Sequence, residues 1–294
     1  MSRVLELFGV ATALKPAPRW NDIVSERACP FLDRTCLKNR KSEPSVLIGI
    51  CTVAHGRARQ PLIICPHRLL ERRQVFHDCH HLLTLHQPGN ELFVVPEVSI
   101  PGGSVDYFLI STHRRKVKDF VAIELQALDT TGTLWPERQR FLHSVGLPAK
   151  TRDVECPDPF GINWKMSAKT ILMQLHHKVE TLQRLGKHLV LVVQDQFFAY
   201  MRDQFDFSAV TDARVGDSLH IHAYGLTHGS RGWRLELASR ASTDANGVNR
   251  FLGRQATRDV NLQQILTLLE ERSALWTPLD VGPVTVVAPS TPPA

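Results

Sequence analysis

The sequence predicts an α/β fold, a mixed central sheet flanked by helices, preceded by a small N-terminal four-cysteine module. Three observations lead there. Cys29, Cys36, Cys51 and Cys65 crowd into one stretch near the start of the chain. At Pro88-Gly89 the texture changes from Cys-, Pro-, Arg- and His-rich to clearly periodic. The periodic part then reads strand, strand, helix, strand. The expected division is a metal-binding module over 1–85 and a larger domain over 86–294.

Taken in order, Leu92-Phe93-Val94-Val95 and residues 98–100 read as extended runs, and Pro101-Gly102-Gly103 as a turn. Residues 104–111 and 120–128 follow as strands of a hairpin around the basic loop 113–118. A loop rich in Pro and Gly spans 148–163. Over 166–185, Leu172, Leu175, Val179 and Leu182 recur at helical spacing, and Gly186 is a suitable stop. The continuous apolar run 189–193 suits a buried strand reached by a helical crossover. Residues 219–226 and 233–238 read as a second hairpin. Leu262, Ile265, Leu266 and Leu269 mark a late helix, and the Pro/Ser/Thr tail from Ala288 reads as disordered.

A chain of 294 residues, 43% hydrophobic and 22% charged, can bury a large core. The first thirty residues show no secretory pattern, and no apolar run approaches the length of a membrane span. A soluble, cytoplasmic protein is expected, in which clustered thiols argue for metal over disulfides. The net charge of +6 is compatible with a polyanionic partner without requiring one.

The chemistry concentrates in Pro101-Gly-Gly-Ser-Val-Asp106-Tyr and Val121-Ala-Ile-Glu124-Leu-Gln126. Side chains alternate along a strand, so Glu124 and Gln126 share one face while Ile123 and Leu125 take the other. An Asp on the neighbouring strand can then meet Glu124. Two carboxylates and a polar third group can bind Mg²⁺ through a few oxygens, leaving positions for phosphate and water. The plainer alternative makes Asp106 a turn residue and Glu124 part of a solvated face. The apolar strands around both argue against it, because an unpaired buried charge is costly.

The order of elements matches the αβββαβ core of PD-(D/E)XK nucleases, and the chain resembles the NotI family of type II restriction endonucleases. The matching stretches are Ala28-Cys29-Pro-Phe, Cys36-Leu-Lys-Asn-Arg-Lys41-Ser, Gly49-Ile-Cys51, Ile64-Cys65-Pro-His-Arg68, Gly103-Ser-Val-Asp106-Tyr, Glu124-Leu-Gln126 and Trp164-Lys-Met-Ser-Ala-Lys-Thr. The resemblance implies a homodimer that cleaves GC-rich palindromic double-stranded DNA, with Mg²⁺ on Asp106 and Glu124. It also implies that Gln126 stands where such enzymes usually carry Lys. A Gln can orient by hydrogen bonds but brings no charge. Glu91 and Glu97 are candidates for a further catalytic carboxylate, and the resemblance, in the spacing to Asp106, favours Glu91.

The spacing C-x6-C-x14-C-x13-C lacks the two-residue knuckles of zinc ribbons. Four buried small hydrophobes are the alternative to a metal site. Four thiolates would make a closed structural site; the resemblance suggests one iron per chain, while tetrahedral sulfur suits zinc as well. His77-Asp78-Cys79-His80-His81 is expected to form a helical or loop surface. Basic patches at Arg34, Lys38, Arg40 and Lys41, and at Arg68, Arg72 and Arg73, are candidate phosphate contacts. In the second hairpin His220, His222, Arg234 and Arg240 alternate with apolar residues, which reads as an ordinary amphipathic sheet, with a face laid in a DNA groove as the alternative. A repair or nicking nuclease, or a DNA-binding protein without catalysis, are the competing functions.

Overall fold

Every residue of His188–Gln194 is buried, and the fold is arranged around this strand. The computed structural model of the protein describes residues 2–253 apart from 41, 158, 159 and 231; the late helix and the tail expected from the sequence lie outside the described residues. We number the principal elements β1 (Val4–Leu7), β2 (Val10–Ala11), α1 (Trp20–Glu26), β3 (Ile50–His55), β4 (Gln60–Ile63), α2 (Gln74–Cys79), β5 (Glu91–Ile100), β6 (Gly103–His113), β7 (Lys116–Gln126), α3 (Trp135–Ser144), α4 (Trp164–Arg184), β8 (His188–Gln194), α5 (Asp195–Gln204), β9 (Leu219–Gly229), β10 (Gly232–Thr243) and α6 (Ala245–Gly253).

The main sheet has seven strands in the order Thr211–Asp212, β10, β9, β8, β7, β6, β5. β8 runs parallel to both β7 and β9, and the outer pairs are antiparallel. Parallel neighbours need crossovers, supplied here by α3 and α4 before β8 and by α5 after it. Two apolar clusters cover the two faces. One holds Ala122, Leu189, Leu191 and Ile221 against Leu172, Leu175 and Val179 of α4. The other holds Ile123, Val190 and Val192 against Val75, Cys79 and Leu82.

The segment before residue 85 forms a second sheet, in the order β2, β1, β3, β4. Val4, Leu7, Ile50 and Leu62 join the first cluster, and Ile63, Leu69 and Leu70 join the second. The texture of the sequence changes near residue 85, but the packing crosses that point. Gln194 links the sheets: its side chain accepts from the Ile63 amide at 2.8 Å and donates to the Pro61 carbonyl at 2.7 Å.

Three expectations need correction. His220 and His222 are 1% and 0% exposed, because β9 is an interior strand covered on both faces, not half of an amphipathic hairpin. The 77–81 segment is buried in part: Cys79 is 0% exposed, and Asp78 accepts from the Tyr224 hydroxyl at 2.7 Å. Arg68 is not at the surface. Its guanidinium bonds Glu6 at 2.7 Å, Glu71 at 3.0 Å and the Trp233 carbonyl at 3.0 Å, so it serves the fold instead of meeting phosphate.

Candidate active site

Hairpin β6–β7 brings the two carboxylates together. Tyr107 pairs with Ile123, so one step further along the ladder Asp106 stands opposite Glu124. Asp106 Oδ2 accepts from the Leu125 amide at 2.8 Å, which fixes the aspartate against β7. The connection between these strands turns at Arg114 and Arg115, both at positive φ (49° and 63°), as a two-residue hairpin turn requires.

Glu124 is buried, and its Oε1 lies 2.7 Å from Nζ of Lys178. Burial pushes the Glu124 carboxyl up to about 7; the Lys178 hydrogen bond opposes that, and the Asp106 charge adds to it. Lys178 comes from α4 and is itself buried. Sequence reasoning missed it. The signal was present, since Lys178 falls between Leu175 and Leu182 on the apolar stripe, where a charge needs a partner.

The glycine turn before β6 lets α4 approach. At Gly102 (φ +104°) an added Cβ would lie 3.0 Å from the His177 carbonyl oxygen; at Gly103 (φ +130°) it would lie 3.2 Å from Cε of Lys178. The start of α4 is anchored as well. Ser167 Oγ donates to Asp129 Oδ2 at 3.1 Å and accepts from the Asp129 amide at 2.9 Å, and Asn163 caps the helix through the Met166 amide. The Trp164-to-Thr170 stretch therefore ties the helix that carries Lys178 to the end of β7.

Gln126 is half-buried, and its Nε2 donates to the Ala127 carbonyl at 2.6 Å. Glu91 is not brought to this group. It pairs with Thr112, six residues along β6 from Asp106, or about 20 Å at roughly 3.4 Å per residue. Glu97 is the acidic residue of β5 level with Asp106, because Val98 pairs with Val105 and Pro96 with Tyr107. Glu97 also has a φ of 52° inside the strand, and Tyr107 feels the charge of both acids.

The four cysteines share one neighbourhood. Cys51 and Cys65 act on each other, which raises the Cys51 proton affinity and lowers that of Cys65. Cys29 and Cys36 are both within electrostatic reach of Cys65. Among the described residues, however, no three His, Cys, Asp or Glu side chains converge closely enough to hold a metal ion.

Opposed carboxylates on a mixed sheet, with a buried lysine beside them, are of the kind found in nucleases that act on phosphodiesters. The family model for restriction endonuclease NotI matches residues 20–220, a span that contains the four cysteines, Asp106, Glu124, Gln126 and Lys178. The chain belongs to this restriction endonuclease family, and is a site-specific enzyme that cuts DNA. A search of curated proteins gives no match. Among the described residues no helix is long and apolar enough to cross a membrane.

Proposed function

We propose that this protein is a Mg²⁺-dependent type II endonuclease that cuts both strands of double-stranded DNA at a GC-rich palindrome, as a cytoplasmic homodimer. The observation that carries the reading is the pairing of Asp106 with Glu124 across adjacent strands, with Lys178 as their cationic neighbour. Carboxylate oxygens from both acids and the amide oxygen of Gln126 fit a hard cation. Magnesium needs only one or two protein carboxylates, since it keeps waters and takes substrate phosphate.

Asp106 and Glu124 would hold the ion, which when bound polarises the phosphoryl oxygen and makes a water more acidic. Gln126 orients a water or phosphate oxygen by hydrogen bonds. Lys178 holds Glu124 in place and supplies the positive charge that Gln126 lacks. Glu97, in place of Glu91, is the further carboxylate. A palindrome is read by two identical subunits related by a two-fold axis, which is the reason for the dimer.

One structural iron or zinc on Cys29, Cys36, Cys51 and Cys65 belongs to the same proposal. Sulfur donors suit either ion, and four thiolates leave no position for substrate. Shared electrostatic reach around Cys65 supports the grouping. Binding would have to draw the sulfurs closer.

Incubation of plasmid DNA with and without Mg²⁺ tests the catalytic reading. Discrete fragments are expected. Nicked circles alone would favour a nicking or repair nuclease, and unchanged DNA a binding protein without catalysis.

A further inference from the structure

A cleft of about 560 Å³ opens between α1, the ribbon formed by Asn39–Arg40 and Glu43–Leu47, and α3. Arg138 forms part of its wall and is only 6% exposed. Its Nε donates to the Ile48 carbonyl at 2.9 Å. No carboxylate among the described residues pairs with it, and none acts on its charge. The charged neighbour that acts on it is another cation, Arg27. Burial first and then Arg27 push the Arg138 guanidinium down to about 10.

The rest of the lining carries two cations, Arg40 and Lys150, and two acids, Glu43 and Asp153, so Arg138 is the charge left without a counterpart. The Arg40 guanidinium lies 4.4 Å from the Trp135 ring centre and that of Arg138 lies 5.1 Å from it. Lys150 stands exposed on the rim. The two acids of the lining are already engaged: Glu43 pairs with Arg40 at 3.0 Å, and Asp153 accepts from Trp135 Nε1 at 2.8 Å. A buried cation without a counter-charge is costly to the fold. Such a cost is offset when an anion enters, and a guanidinium fork matches the oxygens of a phosphate.

We propose that this cleft binds a backbone phosphate of DNA, held by Arg138 from below and by Arg40 and Lys150 from the rim. The proposal rests on the reading of the chain as a DNA-cutting enzyme and adds a contact that positions the duplex away from the carboxylate site without reading its bases. A free phosphate ion or nucleotide has the same chemistry, so both sources enter the test.

Binding of a labelled duplex is measured without Mg²⁺, over a series of salt concentrations, for the intact protein, Arg40→Gln, Lys150→Gln and Arg138→Lys. Each protein is first checked for its thermal melt. Arg40→Gln and Lys150→Gln change residues at the rim and keep the test valid if Arg138→Lys fails to fold. Each rim variant should bind several-fold more weakly at low salt, with the slope of log K against log salt reduced by about one. Intact protein that binds DNA, with rim variants of unchanged affinity and slope, would overturn this inference and leave the nuclease reading standing. Intact protein that binds no duplex would overturn both. If inorganic phosphate or a mononucleotide raises the melting temperature of the intact protein while the rim variants bind DNA normally, the cleft serves a free anion and the DNA proposal is wrong.

Discussion

Lys178 and Glu124 form a buried ion pair, Nζ to Oε1 at 2.7 Å, that joins α4 to the strand carrying the candidate active site. Both groups have left water, so each depends on the other. Lys178→Ala should destabilise the protein by about 3–5 kcal/mol by leaving Glu124 buried without a partner. The double variant Lys178→Met, Glu124→Leu should recover much of that loss. Urea denaturation of the three proteins measures both effects, and a single variant as stable as the parent would show that the pair contributes nothing.

Gly102→Ala should lower stability by about 1–3 kcal/mol and weaken cleavage as well. The added methyl meets the backbone of α4 at His177 and the turn demands a left-handed φ. Thermal melts and cleavage rates are the readouts. Gly89→Ala serves as the contrast, because it too sits at a left-handed φ, +89°, but meets nothing within 4 Å.

Acid should weaken the fold through His220 and His222. Burial first, then neighbouring cations, hold these rings down to about 4 and about 3, from an ordinary 6.5. The charged groups facing them are His188, His81, Arg240 and Asp217, and Cys79 lies 3.9 Å from His222. A depressed folded value means that the unfolded chain binds the proton first. The stabilising contribution is therefore complete above about 6.5 and declines as pH falls toward 4 and 3. Glu124 acts in the opposite sense between 4.5 and about 7. The decisive comparison is thus between the parent and His222→Gln, and the variant should lose less stability between pH 7 and pH 5.

The cysteine cluster and the carboxylate site should fail separately. Purified protein should carry one iron or zinc per chain. Cys→Ser at position 29, 36, 51 or 65 should deplete it and lower the melting temperature, whereas Asp106→Ala should leave the metal in place. Elemental analysis and thermal melts decide. Metal-free protein, or four variants that melt like the parent, would remove the metal from the proposal.

Much of this architecture was legible because periodicity reports burial. The apolar stripe of α4, the glycine turn and the run that became β8 were all readable, as was the facing of Asp106 and Glu124 on neighbouring strands. What stayed hidden depends on contacts between distant parts of the chain. The apolar stripe marks Lys178 as a charge in need of a partner, but only the folded chain shows that the partner is Glu124. Arg68 reads as a surface cation until Glu6 and Glu71 enclose it. His220 and His222 alternate like a half-exposed strand, and only the folded chain brings Cys79 and His81 against His222 and His188 against His220. The family resemblance in spacing favours Glu91, but the β5–β6 register puts Glu97 level with Asp106.

Cleavage of plasmid DNA by Asp106→Ala and Glu124→Ala, beside the intact protein in Mg²⁺, tests the central claim most directly. Duplex binding measured without Mg²⁺ is the control for folding. The intact protein should give discrete double-strand fragments, and Asp106→Ala should bind DNA while leaving it uncut. Asp106→Ala protein that still cuts at near-normal rate would contradict the assignment of this site.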